Sequence, residues 1–452
     1  MDITTEKKDD LNAILKVHIN KDDYEQQVNE KLKEYKKSAK MDGFRPGMVP
    51  MGLIKRMYHK PVLLEEINRL VSESITNYIR EEKLNILGEP LPNKEQQEKQ
   101  DFENQEEFEF LFDIALAPEF EAELSKEDKL SYYVIDIDDK LLDKYVESYA
   151  SRFGEAVEAE KADENDVIKA SLTQLTEEGE PMENGINTQD STLSVSVIKD
   201  ESIRKQITGS SAGDSMQIDL RKAYPNDTEL SQILKTDKEK IENMPLFFRL
   251  DVESVSRWQK AEINQELFDK AFGEGVVSSE KEFREKIAEE ISSHYSRQSD
   301  MKLLMDAREM LIEKTKFDLP TDFLKRWLLE SKEKNLAQEQ IDKEFPVFEK
   351  DLRWQLIQDK IISKFNLKVE KEEVEELAKY HLRMQFRQYG MTDIGDEHLS
   401  NYAQELLKKD KERQNLYEQK YHEKIIELLK ETVTLNTKKV KEEEFANLMQ
   451  EK

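Results

Sequence analysis

The chain has no cysteine, which excludes disulfides, thiol nucleophiles and thiolate-bound metals. Positive charge is in deficit: 70 lysines and arginines face 98 aspartates and glutamates, a formal net charge of −28. A surface that acidic repels phosphate, which argues against nucleic-acid binding by the molecule as a whole. No run of 18 apolar residues is present to span a bilayer, so no membrane partner is expected. Residues 1–11 lack the apolar core behind a basic start that marks a secretory signal. The expected location is therefore cytoplasmic. None of the six histidines (His18, His59, His294, His381, His398, His422) lies three or four residues from another, so no metal site is expected. No glycine-rich phosphate loop occurs, so no cofactor is expected either. Carboxylates are too abundant for any pair to mark chemistry, and no catalytic residues are assigned.

What remains is a 452-residue chain, long enough for two to four domains. It is 37% apolar and 37% charged, a balance that favours long solvated helices. The expected fold class is α+β, multidomain and elongated. Residues 1–117 read as a small α+β domain. A strand over 11–19 is followed by Asn20 as a helix cap, an apolar stripe at Tyr24, Val28, Leu32 and Tyr35, a second helix opened by Pro61, and a strand over 108–116. Residues 118–157 form a connecting segment with an apolar run over 132–137 and a helix near 141–153. Residues 158–257 form a β-rich middle domain, with strands over 167–172, 193–198, 215–220 and 247–255. From 258 to 452 nearly everything is helical, with stripes over 283–311, 323–328, 345–361, 374–384 and 416–429, and a break at Tyr389-Gly390.

One segment stands out. Two glycines and two prolines fall within the eight residues Gly43-Phe44-Arg45-Pro46-Gly47-Met48-Val49-Pro50, which predicts a tight loop between two helices. Phe44 supplies dense apolar contact and Arg45 supplies charge-assisted hydrogen bonds, the two components of a docking tip. Residues 31–60 carry nine basic residues, among them Lys36, Lys37, Lys40 and Arg56, against only Glu34 and Asp42. A basic island of that size inside an acidic chain points to one anionic partner surface.

The loop resembles that of the trigger factor family, Gly-Phe-Arg-x-Gly-x-x-Pro, at Gly43, Phe44, Arg45, Gly47 and Pro50. Pro46 is an accepted variant, whereas Met48 stands where the family commonly has lysine. Residues 108–120, 264–272 and 319–323 resemble further family segments. The resemblance implies an ATP-independent chaperone that docks on the large ribosomal subunit at the exit tunnel and shields nascent polypeptides. It implies docking through Gly43, Phe44, Arg45 and Gly47, with Lys36, Lys37, Lys40 and Arg56 adding attraction. It also allows a homodimer off the ribosome.

The family also inserts an FKBP-like prolyl isomerase domain where the middle region lies. That activity needs an aromatic-walled apolar pocket. Between residues 167 and 246 the one aromatic is Tyr224, so the expected domain is degenerate and both readings of its enzymology stay open. Clients are assigned to the helical region, through Met301, Met305, Trp327, Phe345, Phe348, Met384 and Phe386, because thioethers and large rings suit varied apolar segments. Alternative readings are an active isomerase, a SurA-like periplasmic chaperone, which would need a signal peptide, and a purely structural helical adaptor.

Overall fold

The computed structural model describes all residues except 41, 43, 45–47, 177, 242–245, 331–336, 389–390, 392–393 and 451–452, and the side chains of 387–388. It is an α+β multidomain chain with an α+β N-terminal part, a β-rich middle and a helical C-terminal part. The chain packs as two compact units. One holds residues 1–132 and 300–436, the other 133–299 and 437–452.

The N-terminal part begins with strands β1 (Asp2–Lys7) and β2 (Asn12–Ile19), then helices α1 (Lys21–Ser38) and α2 (Met51–Glu81), then strands β3 (Leu91–Pro92) and β4 (Phe108–Ala115). The sheet order is β1-β2-β4-β3. Asn20 caps α1 in a reciprocal capping box with Asp23, which satisfies two helix-end donors at once. Tyr24, Val28 and Leu32 of α1 and Ile54, Leu63, Ile67, Val71 and Ile75 of α2 then bury against Leu15, Val17 and Phe108 of the sheet. The expected helix opening at Pro61 is corrected: α2 starts ten residues earlier and runs through it. Pro61 is exposed, so water can serve the carbonyl left without an amide partner, which is what a mid-helix proline demands. Strand β1 escaped the sequence reading because its residues are polar and only weakly alternating.

The next elements are β5 (Lys129–Ile135), α3 (Asp139–Arg152), β6 (Glu155–Glu158), β7 (Val167–Gln174), β8 (Asn187–Ser194), α4 (Glu201–Ile207), β9 (Ser215–Asp219), α5 (Leu220–Ala223), α6 (Asp227–Ile233), α7 (Lys238–Ile241) and β10 (Phe247–Gln259). The five-stranded sheet is ordered β6-β10-β7-β8, with β9 also on β10. The strand expected at 193–198 instead occupies Asn187–Ser194 and passes into a 3₁₀ turn, Val195–Val197. Its partner β7 begins at Val167, opposite Ser194, so the ladder ends there. Ile168, Leu172, Leu193, Phe248 and Leu250 fill the core beneath α4 and α6.

The remaining elements are α8 (Gln265–Phe272), α9 (Glu280–Lys314), α10 (Thr321–Glu330), α11 (Gln338–Lys364), α12 (Lys371–Gln388), α13 (Asp396–Leu407), α14 (Asp410–Thr432), β11 (Thr434–Val440) and α15 (Glu442–Gln450). The break expected at Tyr389-Gly390 lies outside the described residues. Strand β11 pairs with β5. Leu303, Leu304 and Ala307 of α9 pack with Ile425, Ile426 and Leu429 of α14. Among the described residues no helix is long and apolar enough to cross a membrane.

Candidate functional site

The antiparallel pair α1–α2 presents the loop at its free end. The last turn of α1 carries Lys36 and Lys37, where cations complement the helix C-terminus. Val49 is fully buried and anchors the far side of the loop, with Ile54 beside it in the same core. Around these anchors the surface is apolar and open: Phe44 is 39% exposed, Met48 70% and Met57 50%. Gly43, Arg45, Pro46 and Gly47 lie outside the described residues.

The basic residues divide into two groups. Lys31 pairs with Glu65 at 2.8 Å and with the buried Glu66 at 2.6 Å, and Lys60 pairs with Glu103 at 2.9 Å. These two are held by carboxylates of the domain itself. Lys33, Lys36, Lys37, Lys40, Lys55 and Arg56 have no carboxylate within 4.0 Å among the described residues. The unpaired cations belong to the half of the hairpin that carries the loop. An electropositive tip, with Phe44 and Met48 open beside it, can bind a polyanionic surface that also offers apolar contact.

The client residues assigned from sequence are distributed over three places. Met301 and Met305 are exposed one turn apart on α9, and Met384 is exposed on α12. Phe386 is half-buried, its ring 5.6 Å from that of Tyr402. Phe345 is only 4% exposed and lies in a core with Leu319, Phe323 and Leu324, while Trp327 and Phe348 pack at its edge. The periodicity that marked Phe345 as apolar is the same for a core position and a binding position.

Sequence reading missed a cleft of about 2020 Å³ within the first unit. One wall comes from residues 7–12, 83–87 and 116–121, the other from residues 316–323 and 352–363. Phe120 and Phe317 stack across it, with centroids 4.2 Å apart. Leu352 and Leu356 add apolar surface, and Asp9, Glu119, Asp318 and Asp359 line it with charge. Asp359 is exposed on the helical wall, and partial desolvation by the groups around it raises its carboxyl above the usual range. Pro118 lies on one wall and Pro320 on the other.

In the middle part, Tyr224 is 2% exposed, and its hydroxyl donates to the Ser194 carbonyl at 3.0 Å. Phe248 is fully buried, whereas Phe247 and Trp258 are exposed. The Trp258 indole N–H donates to the Ser151 carbonyl at 2.8 Å. Two of the four aromatic rings therefore belong to the hydrophobic core. Among the described residues no cluster of three or more acidic or histidine side chains could hold a metal ion.

These features define a three-part α+β chain with a basic helical hairpin, a small curled sheet and a helical body. Three family models match it in order: "Bacterial trigger factor protein (TF)" over residues 1–149, "Probable trigger factor, FKBP-like domain" over 156–260, and "Probable trigger factor, C-terminal domain" over 299–449. The trigger factor of Francisella tularensis subsp. novicida is 26% identical over 391 residues, covering 83% of this chain and 84% of its own. That of Chlorobaculum tepidum is 24% identical over 378 residues, covering 80% and 83%. A solved structure described as "Promiscuous Substrate Recognition in Folding and Assembly Activities of the Trigger Factor Chaperone" aligns with a TM-score of 0.53 at 16% identity, covering 95% of this chain and 99% of the other. The chain belongs to the trigger factor family, and that membership supports a chaperone function.

Proposed function

We propose that the protein is a cytoplasmic, ATP-independent chaperone that docks on the large ribosomal subunit at the exit tunnel and shields nascent polypeptides. The observation that carries this reading is the cluster of cations without a carboxylate partner around an exposed Phe44, inside a chain whose formal net charge is −28. Ribosomal RNA offers the matching anion density, and counterion release supplies the affinity. Docking belongs to residues 1–117. Client contact belongs to the helical region 258–452 with the connecting segment 118–157, and the cleft supplies part of that surface, since Phe120, Phe317, Leu352 and Leu356 line it with apolar groups among charges. Dispersed weak contacts let a client leave as it buries its own apolar groups, so release needs no nucleotide.

The middle domain is FKBP-like with weak or no isomerase activity, because Tyr224 and Phe248 are committed to the core. A photo-crosslinker at Gln355, which is exposed in the cleft, tests the client assignment. Crosslinks to a ribosome-bound nascent chain are expected. Their absence, with crosslinks instead from a probe at exposed Phe247, would place clients on the middle domain.

A further inference from the structure

The two walls of the cleft meet at a joint made by neighbouring residues on each side. On the helical wall, Leu319 and Phe323 line the cleft, and Arg326 and Trp327 stand one turn further along α10. On the sheet wall, Leu87 lines the cleft and Gly88 follows it directly. Arg326 Nη2 donates to Asp113 Oδ2 of β4 at 2.7 Å, and the Asp113 side chain is only 14% exposed. The other carboxylate oxygen accepts from Asn93 Nδ2 at 2.8 Å, with Lys8 Nζ at 3.6 Å. Asn93 is itself buried and fixed by a backbone bond to Leu111 and by bonds from the amides of Glu95 and Gln96. The carboxylate is therefore aimed before the guanidinium arrives, which lowers the entropic cost of the pair.

Gly88 has φ +76, and a Cβ there would lie 3.0 Å from the Trp327 ring, so the indole presses on backbone that only glycine can present. Leu87, Leu91 and Ala115 from one wall and Leu319, Phe323 and Leu324 from the other close the joint in one apolar cluster.

We propose that Arg326, Asp113 and Gly88 are positioning residues that hold the two walls of the cleft at one separation and so determine which unfolded segments it admits. This rests on the reading of the cleft as a client site. A shift of α10 at the joint moves Leu319 and Phe323, which line the cleft, without touching the docking hairpin.

The absence of native cysteine allows spin labels at Asn77→Cys on α2 and Lys343→Cys on α11, both exposed positions. In the full chain a single narrow distance distribution is expected. Arg326→Ala and Gly88→Ala should each broaden it and weaken binding of a denatured client several-fold, with ribosome co-sedimentation unchanged. Arg326→Lys, which keeps one donor, should restore much of both. An unchanged distribution in both variants overturns the joint. Broadened distances with unchanged client binding overturn its role in client selection. Leu356→Asp separates the two readings: client binding unaffected by this change sinks the cleft itself, whereas binding lost here but retained in Arg326→Ala sinks only the joint.

Discussion

The rings of Tyr35 and Tyr58 stack with centroids 5.1 Å apart and planes 15° apart, joining the last turn of α1 to the second turn of α2 at the root of the loop. Tyr35 is 40% exposed, so this pair acts mainly on the ends of the loop. Such ring pairs contribute about 0.5–1.5 kcal/mol beyond area burial. Tyr58→Ala should lower unfolding stability by about 1 kcal/mol and reduce ribosome co-sedimentation, because the loop ends splay. Tyr58→Phe should preserve both. Full co-sedimentation of Tyr58→Ala would show that the loop is positioned by other contacts.

The middle domain should lose stability in acid through one identifiable pair. Arg257 Nη2 meets Asp166 Oδ2 at 2.7 Å, and the Asp166 side chain is 2% exposed. The guanidinium holds the Asp166 carboxyl below its usual range. A depressed carboxylate contributes stability above its unfolded pKa, about 4, and that contribution disappears as pH falls through the lower folded value. Arg257→Gln should therefore destabilise the domain at neutral pH, and its difference from the wild type should shrink as pH drops below about 4. Denaturant melts at several pH values read this directly. A difference independent of pH would mean that the pair contributes through packing alone.

Prolyl isomerisation should be slow or undetectable in a protease-coupled peptide assay, since Tyr224 donates to Ser194 from within the core. Turnover comparable to a dedicated isomerase would mean that exposed Phe247 and residues near it form a pocket on binding. Tyr224→Phe leaves the ring in place, so it should change folding stability by about 1 kcal/mol or more and leave any turnover unaltered.

Local rules made the N-terminal part legible. The capping pair Asn20–Asp23 and the stripe Tyr24–Val28–Leu32 are short-range signals, and the helix they predict is the one observed. Pro61 misled because a proline opening a helix and one tolerated on an exposed face have the same local sequence. Strand β11 had no such signal: Thr434–Val440 is mostly polar and acquires its conformation from β5, three hundred residues earlier. The cleft was hidden for the same reason, because its walls come from segments far apart in the chain, residues 7–12, 83–87 and 116–121 on one side and 316–323 and 352–363 on the other. The loop proposed for docking stands out in sequence as a motif within a charge island. The division of its lysines into paired and unpaired groups required Glu65, Glu66 and Glu103 to be placed in space.

The docking claim is tested most directly by co-sedimentation of the full chain with ribosomes, comparing wild type with the double variant Phe44→Ala, Arg45→Ala across a salt series. Truncating two central docking residues typically costs about 2–4 kcal/mol, enough to abolish sedimentation at moderate salt. Wild-type binding should fall steeply as salt rises, because several phosphates are neutralised. Circular dichroism should be unchanged in the variant, since Phe44 lies at the surface. Loss of binding with the fold intact is the predicted result. Equal sedimentation of the two proteins would contradict the assignment of the loop as the ribosome contact.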